Sequence, residues 1–340
     1  MLAASVSIAL CQEPPFRGEV DVQRIITQVR VIQSDGSPVL GLGPDDFLVT
    51  VGGRPAEVEA VDWVTEATPP LEPTPGEDAR PTEPAPKAPL QPPRGRLVVL
   101  LFQTDLRPSR VTGLVRIDEH AIELVQSLAP EDRIAVAVMS SHLDLHADFT
   151  NDFEGLSERL TALEILRPES VAYDGRQPSL ARSFDERKAR RATTLSEALE
   201  VIGDALEPIA GTKSVVVVGW GAGRFQSGPR PVYLGPDYDR AVRALARANT
   251  SVFSLDITQA DRHTLEEGLQ QLADDTGGLY IRTYLFPELS VDKLARVLTG
   301  HYELSVIPPE KKLKKEFKLR VRVDLPGVEV LERGLEFRAP

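Results

Sequence analysis

Apolar residues recur along this chain in two rhythms. Between residues 18 and 65 they alternate with polar ones: Val20, Val22, Ile25, Val29 and Val31 mark one run, Phe47, Val49 and Val51 a second, and Val58, Val61 and Val64 a third. A period of two belongs to strands with one buried face. Ser34-Asp35-Gly36-Ser37 predicts a hairpin turn and Gly52-Gly53 a second turn. The segment therefore reads as three or four antiparallel strands, too few to bury a core alone. From residue 97 the rhythm changes. Residues 97–102, 134–139 and 214–218 are near-continuous apolar runs, as in strands covered on both faces. Helical spacing appears over 111–128, 152–165, 194–206, 237–248, 262–275 and 288–299. Further strands are expected at 252–257 and 279–282, and the alternation of 143–149 suits an edge strand. Strands alternating with helices predict an α/β domain with a doubly wound, mostly parallel sheet. Residues 167–191 are polar and read as a loop or a partly disordered insertion. After Gly300 the period of two returns in 301–307, 317–323 and 328–337, with a turn at Pro326-Gly327.

These rhythms divide the chain into a leader (1–17), an N-terminal β segment (18–65), a linker (66–95), an α/β domain (96–300) and a C-terminal β segment (301–340). The linker holds ten of the 28 prolines, and so cannot build a core. The two β segments are each marginal. Pairing them in one small β-sandwich, with the α/β domain inserted, would bury both.

Composition removes several functions. The 340 residues carry 51 Asp and Glu against 39 Lys and Arg, a net charge of −12. An acidic chain lacks the basic face that phosphate backbones need, so no nucleic acid partner is expected. The one basic run, at residues 311–315, is short and lies between strands. Cys11 is the only cysteine, which excludes a disulfide framework and a multi-thiolate metal centre. No apolar run reaches the ~18 residues of a membrane span. Residues 2–11 are apolar and the chain then turns polar and proline-rich, the pattern of a secretory signal, so export to the periplasm, cell surface or medium is expected.

Several local patterns point the same way. They include Val20-Asp21-Val22, Ser34-Asp35-Gly36-Ser37-Pro38-Val39 and Asp45-Asp46-Phe47 near the start, and Ala273-Asp274-Asp275-Thr276-Gly277-Gly278 later on. His301-Tyr302-Glu303-Leu304, Pro308-Pro309, Arg320-Val321-Arg322-Val323 and Pro326-Gly327-Val328 follow. In this order and spacing the chain resembles a von Willebrand factor A domain, and more closely the VWFA-related family of acidobacterial type. The resemblance implies an exported bacterial protein with a binding role. Such domains often carry a metal-ion-dependent adhesion site, with Asp-x-Ser-x-Ser after the first strand, a later Thr, and an Asp after a third strand. A hard divalent ion needs such oxygen ligands and net negative charge.

In this sequence Gln103 stands for the first Asp, Asp105 for the first Ser and Arg107 for the second. Thr193 keeps the Thr, and Trp220 replaces the late Asp. Two carboxylates are lost, one is gained out of place, and a cation is added. Arg107 is expected to take the ion's position and pair with Asp105. The crevice Gln103, Asp105, Arg107, Thr193 and Trp220 is thus a degenerate metal site without a cofactor, Mg²⁺ included. It is suited to a protein partner because Trp beside Arg is a hot-spot composition. Trp220 filling the gap left by an ion is the plainer alternative.

Two other patterns are weaker. His142, Asp144 and His146 share one strand face and offer zinc-type ligands, but alternation alone accounts for them as a solvent-facing side. Gly219-x-Gly221-x-Gly223 follows a strand but no helix opens after it, so it is a poor phosphate loop. His120 and His263 fall in helical stretches and read as surface residues. No Gly-x-Ser-x-Gly or spaced acid/base pair suggests catalysis. The expected function is non-enzymatic protein binding. Metal-dependent adhesion through Asp105 and Thr193 is the alternative, and a hydrolase using His142, Asp144 and His146 a more distant one.

Overall fold

The computed structural model describes residues 24–65, 95–105, 107–126, 131–160, 171–227, 232–259, 263–309 and 316–337. The leader, nearly all of the proline-rich segment and the basic run at 311–315 lie outside the described residues.

The chain begins with β1 (Ile25–Gln33), β2 (Phe47–Val51) and β3 (Arg54–Thr65). β4 (Leu97–Gln103), α1 (Pro108–Gln126), β5 (Arg133–Met139), β6 (Leu143–Thr150) and α2 (Phe153–Arg159) follow. Next come α3 (Glu186–Ala189), α4 (Leu195–Leu206), β7 (Lys213–Gly219), and the short strands β8 (Arg224–Phe225) and β9 (Val232–Tyr233). α5 (Gly235–Arg247), β10 (Thr250–Asp256), α6 (Glu266–Thr276), β11 (Tyr280–Arg282) and α7 (Pro287–Val297) complete the α/β part. The last strands are β12 (Gly300–Ile307), β13 (Glu316–Val323), β14 (Val328–Glu332) and β15 (Leu335–Phe337). No helix among the described residues is long and apolar enough to cross a membrane.

Six strands form one sheet in the order β11-β10-β7-β4-β5-β6, parallel except for the antiparallel edge strand β6. Numbered within this sheet the order is 6-5-4-1-2-3, the doubly wound arrangement. The unbroken apolar runs have a direct cause. Leu97, Val99 and Leu101 point into one core with α4, α5 and α6, while Val98, Leu100 and Phe102 point into another with α1, α2 and α7. Val215 and Val217 divide from Val216 and Val218 in the same way. Local signals fix the helix ends. Thr194 and Glu197 form a capping box at the start of α4, and Gly277 takes a left-handed φ of 70° to end α6.

The other sheet has seven antiparallel strands in the order β14-β1-β12-β3-β2-β13-β15. β12 from the C-terminal part lies between β1 and β3 from the N-terminal part. Tyr302 holds the centre of this sheet's core. Its ring sits edge-on to Phe47 and Trp63, with centroids 5.4 and 4.9 Å away. Its hydroxyl donates to the Val39 carbonyl and accepts from Leu42 N–H. The far strands meet again where Glu332 of β14 accepts from Val321 N–H and pairs with Arg320, both of β13.

Turn expectations hold in part. Gly52-Gly53, with φ of 59° and 81°, closes a two-residue hairpin between β2 and β3. The Ser34–Ser37 turn forms, but the returning chain makes a single bridge, Ile32 to Pro38, and leaves. The long partners of β1 are instead β12, against residues 25–29, and β14, against residues 29–33. Residues 328–337 divide into two strands at Arg333-Gly334, because β14 pairs with β1 and β15 with β13. Within the polar 167–191 stretch, the described residues from 171 onward pack as a loop. Asp148 accepts from Ser179 Oγ, Leu180 N–H and Ala181 N–H, and Leu180 is buried in the core.

The seven-stranded sheet sits at the end of the parallel sheet where its strands begin. Gln28 donates to Thr212 Oγ1, Arg30 to Ser251 Oγ and Arg333 to Asn249 Oδ1. At that same end Arg96 and Asp132 make a buried pair. The backbone N–H and Nε of Arg96 reach Asp132 at 2.7 and 2.8 Å, and Nη1 reaches the Leu298 carbonyl at 3.1 Å. This clamp ties the start of β4 to the end of α7. Removing one partner of a buried pair strands the other charge, which costs about 3–5 kcal/mol. Asp132→Ala should lower unfolding stability by that amount in urea titration. A loss below about 1 kcal/mol would show that the clamp is not holding.

Candidate functional site

β4 and β7 are neighbours, yet the helix after β4 covers one face of the sheet and the helix after β7 covers the other. Their outgoing loops diverge and leave a crevice between the strand ends, where doubly wound folds bind partners. Gln103 closes its floor. It is buried, its Oε1 accepts from Trp220 N–H at 3.0 Å, and its Nε2 donates to the Gly221 carbonyl at 3.1 Å. One neutral amide thus joins the two strand ends. Gly221 suits this approach, since its φ of 153° and its position against Leu265 leave no room for a side chain.

Beside it, Asp105 is paired twice. The Arg107 N–H donates to Oδ1 at 3.0 Å, and the Arg110 guanidinium donates to Oδ2. Burial raises the Asp105 carboxyl, but these two donors outweigh it and hold it below the ordinary carboxylate range. The cation in the crevice is therefore Arg110. The Arg107 side chain is 71% exposed and reaches Asp105 only at 3.7 Å, whereas that of Arg110 is 14% exposed. The expected pairing of Arg107 with Asp105 is present, but Arg107 does not take the central position, and the reason is helical geometry. Arg110 lies in the first turn of α1 and faces inward, while Arg107 precedes the helix and faces solvent. The Arg110 guanidinium carbon also stands 3.4 Å from the Trp220 ring centroid, a cation–π contact. A cation in a helix's first turn opposes the macrodipole. The carboxylate and the ring face offset that cost.

Thr193 lies across the crevice on the loop that Asp148 pins. It is exposed, and its backbone N–H and its hydroxyl donate to Glu197 at 2.7 and 3.1 Å. Gln103, Thr193 and Trp220 share a cavity of about 330 Å³ with Met139, Ser196 and Tyr233. Asp105 and Arg107 are not in its lining. The β8–β9 hairpin stands at its rim and exposes Phe225 (67%) and Tyr233 (52%).

The trio His142, Asp144 and His146 does not gather. His142 and Asp144 approach to 3.2 Å, but His146 is buried. Register shifts between β5 and β6 break the alternation that would put all three on one exposed face. Among the described residues a different trio has its ligand atoms within 4.8 Å of one another: Asp256, His263 and Glu266. His263 is not a free surface residue. It precedes α6 and its Nε2 lies 2.7 Å from Asp256 Oδ2. The available signal was an Asp at a strand's C-terminal end, the position from which α/β sites are built.

No known sequence family matches the chain, and no curated protein matches it. Solved structures do. BatB from Bacteroides thetaiotaomicron, a conserved hypothetical protein, is 16% identical with a TM-score of 0.38, over 59% of this chain and 97% of its own. An aerotolerance-related membrane protein from Bacteroides fragilis is 14% identical with a TM-score of 0.37, over 60% and 98%. A von Willebrand factor type A protein from Catenulispora acidiphila is 11% identical with a TM-score of 0.39, over 94% and 74%. At these values the likeness says nothing of function.

Replacing Gln103 with Leu keeps the volume but leaves Trp220 N–H and the Gly221 carbonyl without their bonds. Gln103→Leu should destabilise the protein by about 1–3 kcal/mol in thermal or urea unfolding. An unchanged midpoint would mean that the amide bridge contributes nothing.

Proposed function

We propose that this von Willebrand factor A-type chain is an exported, non-enzymatic protein-binding module that takes its partner at the strand-end crevice without a bridging cation. The α/β unit is carried as an insertion within the antiparallel β part, and residues 66–95 act as a linker. The observation that carries the reading is Arg110, a fixed positive charge held between Asp105 and Trp220. A divalent ion does not fit this set. Arg110 already supplies the positive charge, and the Gln103 oxygen accepts from Trp220 N–H. Adding a doubly charged cation beside a guanidinium would cost Coulomb energy that no second carboxylate repays. The same features suit a protein surface. A half-buried Trp stacked on Arg, with Tyr233 in the cavity wall and Phe225 exposed on the paired strand, has the composition of interface hot spots. Export rests on the apolar stretch at residues 2–11.

The test is affinity capture and cross-linking of the full chain against the envelope fraction of its own cell, followed by affinity measurement on the captured protein. Trp220→Ala and Arg110→Ala should each weaken binding by about 2 kcal/mol or more, roughly 30-fold, with folding checked by circular dichroism. His120→Ala, ten residues beyond Arg110 along α1, should leave it unchanged. Binding abolished by EDTA, or a melting temperature raised by millimolar Mg²⁺, would instead favour adhesion through Asp105 and Thr193, because a ligand of the native state stabilises it.

A further inference from the structure

The geometry points to a transition-metal site, of the kind that takes Zn²⁺, formed by Asp256, His263 and Glu266 one strand away from the crevice. The inference stands apart from the crevice reading, since none of its ligands belongs to that site. Asp256 ends β10, His263 lies in the following loop, and Glu266 opens α6. Asp256 is 1% exposed and Glu266 is also buried, so two carboxylates are withdrawn from water within a few ångströms of each other. Around them stand Arg282, which donates to Glu266 at 2.8 Å, and Tyr280, whose hydroxyl donates to Asp256 Oδ2 at 2.8 Å. With a neutral imidazole the group carries one net negative charge, which a divalent cation would reverse rather than add to.

The ligand chemistry selects the ion. Imidazole with carboxylates suits Zn²⁺ and its neighbours, whereas Mg²⁺ and Ca²⁺ prefer oxygen alone. Atoms bound at about 2.0–2.2 Å in a tetrahedral site lie ~3.3–3.6 Å apart. The His263–Asp256 pair at 2.7 Å would open slightly, and separations of up to 4.8 Å would close by about an ångström through side-chain rotation. On binding, the proton shared between Nε2 and Oδ2 is released to solvent, and that hydrogen bond gives way to two metal–ligand bonds. Three protein ligands leave a fourth position open to water.

Each carboxylate already has the outer partner that metal ligands use for orientation. Asp256 Oδ1 accepts from Thr258 N–H, Oδ2 from Tyr280, and Glu266 from Arg282. A separate observation is Ser254. Two residues back on the same strand face, its hydroxyl is fully buried and has no hydrogen-bond partner. The protein itself leaves this buried hydroxyl unsatisfied, as beside a place that takes an ordered water or a ligand. The loop that would be clipped also touches the crevice, because Thr258 Oγ1 donates to the Trp220 carbonyl and Ala222 N–H to that of Leu265.

The test uses metal-free full-length protein carrying Cys11→Ser, so that its thiol takes no part. Equilibrium dialysis with Zn²⁺ and elemental analysis should give one ion per chain, and Co²⁺ should produce a visible absorption band of a low-coordinate site. His263→Asn and Glu266→Gln should each lower affinity by more than the ~10–100-fold lost when an outer partner is changed. Tyr280→Phe should cost within that range, and His142→Ala should change nothing. Melting curves of the metal-free variants confirm that they fold. Less than about a tenth of an equivalent bound, or retention by folded His263→Asn, or loss through His142→Ala, would overturn the site.

Discussion

Two adjacent parallel strands whose following helices go to opposite faces cannot both seal their own ends. That constraint, at β4 and β7, dictates the crevice. Something must join the strand ends and something must settle the charge in the gap. Here a buried glutamine performs the first task by bonding Trp220 and Gly221 at once. The second falls to Arg110, placed in the first turn of α1 and sandwiched between a carboxylate and an indole. The positive charge is covalently part of the chain. It cannot be exchanged or chelated, and it costs no free ion concentration to keep in place.

The two ends of the parallel sheet are treated differently. Where the strands begin, the chain spends its buried polar contacts on attachment: Arg96 with Asp132, Gln28 with Thr212, Arg333 with Asn249. Where they finish, the antiparallel sheet makes none of these contacts, and aromatic side chains stand exposed on a short hairpin. One end is committed to architecture, and the other leaves its crevice open.

Much of this organisation is legible in the sequence, because burial writes directly into periodicity. Continuous apolar runs announced the doubly covered strands, and alternation announced the antiparallel ones. Partner choice is written less clearly. Ser34-Asp35-Gly36-Ser37 makes its turn, yet β1 pairs with strands far along the chain, since non-local hydrogen bonding leaves no trace in local spacing. The site shows the same division. Gln103 and Trp220 could be placed because strand ends are easy to find, and Thr193 because it directly precedes a capping box. Arg110 escaped notice, because which face of a helix a charged residue occupies is settled by packing. His263 was obscured by a loop that folds it back onto β10, and His146 by a bulge that turned it inward.

Thr65 and Gly300 are cross-strand partners at the ends of β3 and β12. The 234 residues between them therefore start and finish at adjacent rungs of one ladder. In architectural terms the whole α/β unit occupies the place of a hairpin loop. A tight turn such as Asn-Gly could bridge the same two rungs, so the host sheet has no geometric need of its guest. Such a junction lets the inserted unit be lengthened, exchanged or discarded in evolution while the ladder beneath it stays in register.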